Sequence, residues 1–226
     1  MSIWSRISQA LAALAQGESL AKVFEKLRSP PQRGVAFTIA VIALGAKMAK
    51  ADGLVTRDEV TAFREVFEIR HEDEAHAARV FNLARQDVAG YQAYASQISA
   101  MFRDDHQTLT DLLEGLFHIA MADGFYHPNE DGFLQNVAEI FGLPHTVFQA
   151  VRSRFVRNSV TDPYVILGVA PEMPLVEIRS VWRQLVKENH PDRMIARGVP
   201  EEAIRLAEKR VIAINQAWEK INNLAQ

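Results

Sequence analysis

The sequence predicts an all-α protein. Apolar residues recur at intervals of three and four along nearly the whole chain, the period of a helix with one face buried against a neighbour. β-branched alternation, the mark of a half-buried strand, is rare. A helix–turn–helix pattern also occurs twice around Ala-Asp-Gly. The expected architecture is therefore a helical bundle with an internal duplication, followed by a C-terminal helical hairpin. With 226 residues, 48% of them apolar, the chain is long enough for two modest domains that bury their own cores.

Residues 1–33 read as an N-terminal helical segment. Ile3, Trp4, Ile7, Leu11 and Leu14 fall at helical spacing, which suits a helix docked on the protein and, as a second use, an amphipathic helix on a membrane surface. Its opening stretch "MSIWSRISQALAALAQG", with one cation and interspersed Ser, Gln and Gly, makes a poor signal peptide. Pro30, Pro31 and Gly34 end the segment. The apolar run "VAFTIAVIALGA", residues 35–46, is too short to span a bilayer and reads as a buried helix.

The duplication occupies the next unit, residues 34–155. "KMAKADGLVTRDEVTAFREVF" begins at Lys47 and "HIAMADGFYHPNEDGFLQNVAEIF" at His118. Ala51-Asp52-Gly53 matches Ala122-Asp123-Gly124, and Glu59 matches Glu130 at the same offset. In each copy the glycine permits positive φ after the first helix. Thr56 as a cap and Pro128 as an early helical proline open the second. Residues 72–112 read as further helices. Asp52, Glu59, Asp123 and Glu130 are the candidate metal ligands, because Asp-Gly followed by Glu resembles the end of an EF-hand loop. The earlier oxygen ligands are missing, with Met48 and Lys50 in one copy and Ile119 and Met121 in the other. A true EF-hand is excluded. What remains is a divalent-metal or acidic contact patch, set against the simpler reading of a turn Asp and a Glu at the positive end of the next helix. His71 and His76, in "HEDEAH", read as solvated surface.

"SRFVRNSVTDPY", residues 153–164, marks the boundary, and residues 162–226 form the last unit. Asp162 is an N-cap, Pro163 the first helical residue, and Gly168 closes a short helix. Residues 175–188 form one helix with Ile178, Val181, Trp182 and Leu185 as its apolar stripe, while Arg179, Arg183 and Lys187 make a basic row on another face. Residues 200–223 form a second, opened by Pro200 with Glu201 and Glu202 in its first turn. Its seam is Ile204, Ala207, Val211, Ile214, Trp218 and Ile221. Pro191 stops the earlier helix, and His190-Pro191-Asp192 sits in the loop of the hairpin.

Charge and composition exclude several functions. The chain has 25 Lys/Arg, 28 Asp/Glu and no Cys, so there is no disulfide framework, thiolate nucleophile or zinc–thiolate site. Residues 34–161 carry eleven cations against seventeen anions, an acidic surface that argues against nucleic acid. No nucleophile–base pair or phosphate-cradling loop is evident, so no enzyme activity and no cofactor are expected. The absence of Cys fits a cytoplasmic setting.

"DPYVILGV", "EIRSVWRQLVKENHPDR" and "AINQAWEKI", in that order, resemble a J domain, the module of DnaJ-type co-chaperones. Joined to the insert "MIARGVPEEAIRLAEKR" and the duplicated Ala-Asp-Gly unit, they are similar to the DjlA family, whose members carry a TerB-like helical domain before the J domain. The resemblance implies a TerB-like bundle over residues 34–155 and a J domain over 162–226. It further implies recruitment of a DnaK-type chaperone and stimulation of its ATP hydrolysis. His190, Pro191 and Asp192 match the signature, Arg179, Arg183 and Lys187 the basic docking face, and Arg193 adds charge. Trp182 stands where Tyr is more common. Members of that family typically carry a transmembrane segment. None is expected here, so anchorage is not carried over, although peripheral membrane contact is compatible with the N-terminal helix. No glycine/phenylalanine-rich or zinc-binding region is expected, which leaves full DnaJ-type client binding outside the resemblance. The TerB-like unit is expected to bind a further protein partner, a client or a membrane surface. The alternative is a metal-sensing or scaffold stress-response protein that uses the J domain only for tethering.

Overall fold

The computed structural model describes residues 6, 7, 9, 12, 33–51, 74, 75, 78, 90–103, 105–122, 124–156, 162–197 and 204–224. Secondary structure among them is entirely helical. The elements are α1 (Arg33–Ala51), α2 (Tyr91–Met101), α3 (His106–Ala120), α4 (Pro128–Ile140), α5 (His145–Phe155), α6 (Pro163–Leu167), α7 (Leu175–Glu188), α8 (Pro191–Arg197) and α9 (Ile204–Leu224). Several expectations concern residues outside this set: Asp52, Gly53, Thr56, Glu59, His71, His76, Asp123 and Pro200, with most of the N-terminal segment. Of that segment, Ile7 is helical and buried in the core.

α1 and α3 form the centre of the bundle. Residues 35–48 of α1 are buried throughout, as an uninterrupted apolar run requires when neighbours surround it. α1 packs on α2, α3 and α4, and α3 packs on α4 and α5. The buried side chains of α3 include Leu109, Leu112, Leu113, Leu116 and Phe117, and Phe117 packs against Phe148 and Phe155 of α5. Asp105 caps α3, its carboxylate accepting from the Thr108 N–H at 3.0 Å. Among the described residues no helix is long and apolar enough to cross a membrane.

The second copy of the repeat follows the expected pattern. After α3 the chain turns through Gly124 at φ 81°, a left-handed value that strains any residue with a Cβ. Pro128 opens α4, and the Glu130 carboxylate accepts the His127 N–H at 2.9 Å.

The C-terminal helices enclose a smaller core. Asp162 caps α6 by accepting the Tyr164 N–H at 2.9 Å, and Gly168 at φ 65° ends it. α9 packs on α6, α7 and α8. Leu167, Ile178, Ile214, Ala217 and Ile221 are buried there, flanked by Trp182, Leu185 and Trp218. The indoles of Trp182 and Trp218 stack with centroids 5.2 Å apart, and Trp182 Nε1 donates to Asn215 Oδ1 at 2.9 Å. Stacking lets one amphipathic ring fill the gap between helices while its N–H keeps a partner.

In two places the structure departs from the sequence reading. Pro191 does not only end a helix; it is the first residue of α8, because a proline at the first helical position loses no bond. Ala207 does not face the α7 seam. With Leu206 and Met194 it is buried in the bundle core, so the beginning of α9 and Met194 of α8 pack against the bundle. Leu206 Cδ1 lies 3.8 Å from the place a Cβ on Gly115 of α3 would occupy.

Candidate functional site

α7 runs from Leu175 to Glu188, with Asn189 as its C-cap. The basic row lies along it, with Arg179, Arg183 and Lys187 all exposed. Two residues after the helix ends, His190-Pro191-Asp192 makes the sharp step into α8. The His190 carbonyl accepts the N–H groups of Arg193 at 2.9 Å and Met194 at 3.2 Å, which starts the short helix. The His190 ring takes a third donor, as the Asp192 N–H points at Nδ1 from 3.3 Å. His190 thus caps α8 with both its carbonyl and its imidazole.

These bonds fix the chemistry the turn can offer. With Nδ1 accepting, a neutral His190 carries its proton on Nε2, leaving that N–H as a donor for another molecule. The Asp192 carboxylate sits 3.6 Å from Nδ1 and would pair with it only if the ring were protonated. The side chains of His190 and Asp192 are 58% and 87% exposed, and Arg193 beside them is exposed too. The turn therefore presents a donor and a free-facing carboxylate, within a field of basic residues. Such a set offers polar and charged groups of both signs that another surface could engage.

Behind the exposed turn lies a buried charged network that the sequence did not reveal. Arg210 of α9 is 3% exposed. Its Nη1 donates to Asp111 Oδ1 and to Asn189 Oδ1, each at 2.6 Å. Its Nε donates to Glu114 Oε2 at 2.5 Å, and its Nη2 bonds the same oxygen. Arg154 Nη2 reaches the other Glu114 oxygen at 3.0 Å. Burial pushes the Arg154 guanidinium down to about 10, an effect that Asp111 partly offsets, so it remains cationic at neutral pH. Asn189 completes the set by donating Nδ2 to the Leu185 carbonyl at 2.7 Å. Charged residues default to the surface in a sequence reading, and here the partners stand 96 and 99 residues apart. No local pattern could have paired them.

The candidate metal ligands are not brought into one described cluster. Glu130 is 4% exposed and engaged at the start of α4. Asp52, Glu59 and Asp123 lie outside the described residues. No group of three or more His, Asp or Glu able to hold a metal occurs among the described residues. On the same turn, burial and then the nearby Asp131 push the Tyr126 phenol upward, while Arg152 pairs with Asp131 at 2.7 Å.

Comparison with known proteins places the chain among relatives. Residues 38–153 match the family described as tellurite resistance protein TerB. Over 222 residues the chain is 21% identical to the co-chaperone protein DjlA of Shewanella oneidensis, covering 92% of this chain and 84% of that one. It is 24% identical over 233 residues to the co-chaperone protein DjlA of Vibrio parahaemolyticus, covering 89% and 82%. With the co-chaperone protein DjlA of Escherichia coli strain K12 it shares 22% over 268 residues, covering 98% and 97%. No solved structure matches it significantly.

Proposed function

The chain belongs to the family of the tellurite resistance protein TerB, and from that premise we propose that it is a DjlA-like co-chaperone whose C-terminal residues 162–226 act as a J domain. It recruits a DnaK-type chaperone and stimulates that protein's ATP hydrolysis. The observation that carries this reading is the exposed His190-Pro191-Asp192 turn beside the exposed row Arg179, Arg183 and Lys187. Similarity to several proteins named co-chaperone protein DjlA over most of the chain supports it.

The physical role follows from the parts. Phosphoryl transfer takes place in the chaperone's own nucleotide site, where catalysis is mostly positioning and electrostatics. The co-chaperone is a regulator rather than an enzyme, and needs only to bind the hydrolysis-competent state better than its alternative. The basic row, with Arg193, gives fast, salt-sensitive encounter with an acidic surface. The pinned turn then docks at small entropic cost, since Pro191 and the cap on α8 have already ordered it. Asp192 can accept a forked pair of bonds from an arginine. The TerB-like bundle supplies targeting, through a partner protein, a client or a membrane surface, and the setting is cytoplasmic.

The test is direct. Full-length protein added to an ATP-loaded DnaK-type chaperone should accelerate hydrolysis in a saturable way. No acceleration at any concentration would remove the reading.

A further inference from the structure

We infer that the TerB-like bundle braces the J-domain signature: Asp111 and Glu114 of α3 act as positioning residues for His190-Pro191-Asp192, working through Arg210 and Asn189. The inference rests on the co-chaperone reading above and extends it, since it gives the bundle a part in the stimulating act itself.

The exposed turn is held at both ends from behind. On the N-terminal side, Asn189 is 4% exposed, and its amide is locked in orientation. Nδ2 donates to the Leu185 carbonyl at 2.7 Å and Oδ1 accepts from Arg210 at 2.6 Å. On the C-terminal side, Met194 is fully buried in the bundle core, and its N–H bonds the His190 carbonyl at 3.2 Å. Between these fixed points stand only the four residues 190–193. Arg210 is what ties Asn189 to the bundle. Its planar fork meets Asp111 and Glu114 on one side and Asn189 on the other, so rotation of any one group breaks a bond to another.

Why use charges here? A buried ion network adds little net stability over apolar residues of equal volume, because desolvation offsets the attraction. Its advantage is direction. An apolar contact would hold α9 to α3 as firmly, but would leave the Asn189 amide and the end of α7 free to turn. The arrangement suits a turn whose function depends on where one imidazole and one carboxylate point.

The experiment uses the full chain with two variants. Asn189→Ala cuts the link between Arg210 and the turn, and leaves the contacts of Arg210 to Asp111 and Glu114 in place. Asp111→Asn weakens the bundle end of the brace at constant shape. Both are titrated into single-turnover ATP hydrolysis by a DnaK-type chaperone, with His190→Gln as reference, and amide hydrogen exchange is followed in each free protein. The expected result is a maximal stimulated rate at least fivefold below wild type. The half-saturating concentration should stay within twofold, because the basic row on α7 is untouched. Exchange at Arg193 and Met194 should accelerate at least tenfold, with protection in α2–α5 retained. Wild-type stimulation by both variants, alongside an inactive His190→Gln, would overturn the brace and leave the co-chaperone reading standing. Should His190→Gln stimulate like wild type, the co-chaperone reading fails, and exchange alone decides the brace: unchanged rates at Arg193 and Met194 refute it. A uniform loss of protection across all helices also refutes it, since the network would then be a general staple of the fold.

Discussion

Arg210 Nη1 donates to Asn189 Oδ1 at 2.6 Å, so the residue immediately before His190 is tied to the second turn of α9, 21 positions further along. The same guanidinium bonds Asp111 and Glu114 of the bundle. The two halves of the chain are thus joined by a charged contact rather than by apolar packing alone.

That junction predicts a large stability effect. Arg210→Ala removes the cation shared by two buried carboxylates, and breaking a buried pair from one side costs about 3–5 kcal/mol. Urea unfolding of the full chain should show the loss as a lower midpoint. A change below about 1 kcal/mol would mean that the network behaves as a surface pair.

Arg183→Glu tests the basic row. Reversing one charge in an exposed row of three should weaken half-saturation of the chaperone more at 50 mM salt than at 500 mM, since the Debye length shrinks as salt rises. The same deficit at both concentrations would remove electrostatic docking by this face.

The tryptophan pair of the C-terminal core separates packing from hydrogen bonding. Trp182→Phe keeps a ring opposite Trp218 but loses the bond to Asn215, at a cost of about 1 kcal/mol. Trp182→Ala loses the ring as well, at about 3 kcal/mol. Thermal melts followed by far-ultraviolet circular dichroism distinguish the two, and equal costs would place the stabilisation in the hydrogen bond alone.

For the acidic turns the structure favours the capping role of Glu130. Glu130→Gln should lower stability by about 1 kcal/mol by weakening the cap of α4. Calcium or zinc in excess should leave the melting temperature of the wild type within a degree. A saturable rise on titration would instead mark binding to the native state and revive the metal-sensing alternative.

Features written into neighbouring residues were legible from the sequence. Asp162, Pro163 and Gly168 announced α6, Pro128 announced α4, and the spacing of Ile178, Trp182 and Leu185 gave α7 its correct ends and inner face. Each signal lies within one or two turns of the backbone, where sterics and capping act. Pro191 was ambiguous because proline serves equally as a stop and as a first helical residue, and only the bonds of the His190 carbonyl to Arg193 and Met194 decide between them. Ala207 fits a helical stripe, but a stripe does not name its partner, and this residue turned out to face the bundle. Arg210, Asn189, Asp111 and Glu114 carry no local pattern at all. Their burial is created by tertiary packing between segments about a hundred residues apart.

The central claim is that the exposed turn acts on a chaperone, and single-turnover ATP hydrolysis with wild type and His190→Gln tests it most directly. His190→Gln removes the ring that caps α8 and offers Nε2–H outward. It leaves the basic row and the buried network intact. A DnaK-type chaperone pre-loaded with ATP should hydrolyse it at least tenfold faster with saturating wild-type protein, and at close to its basal rate with the variant. Equal acceleration by the two proteins would contradict the account.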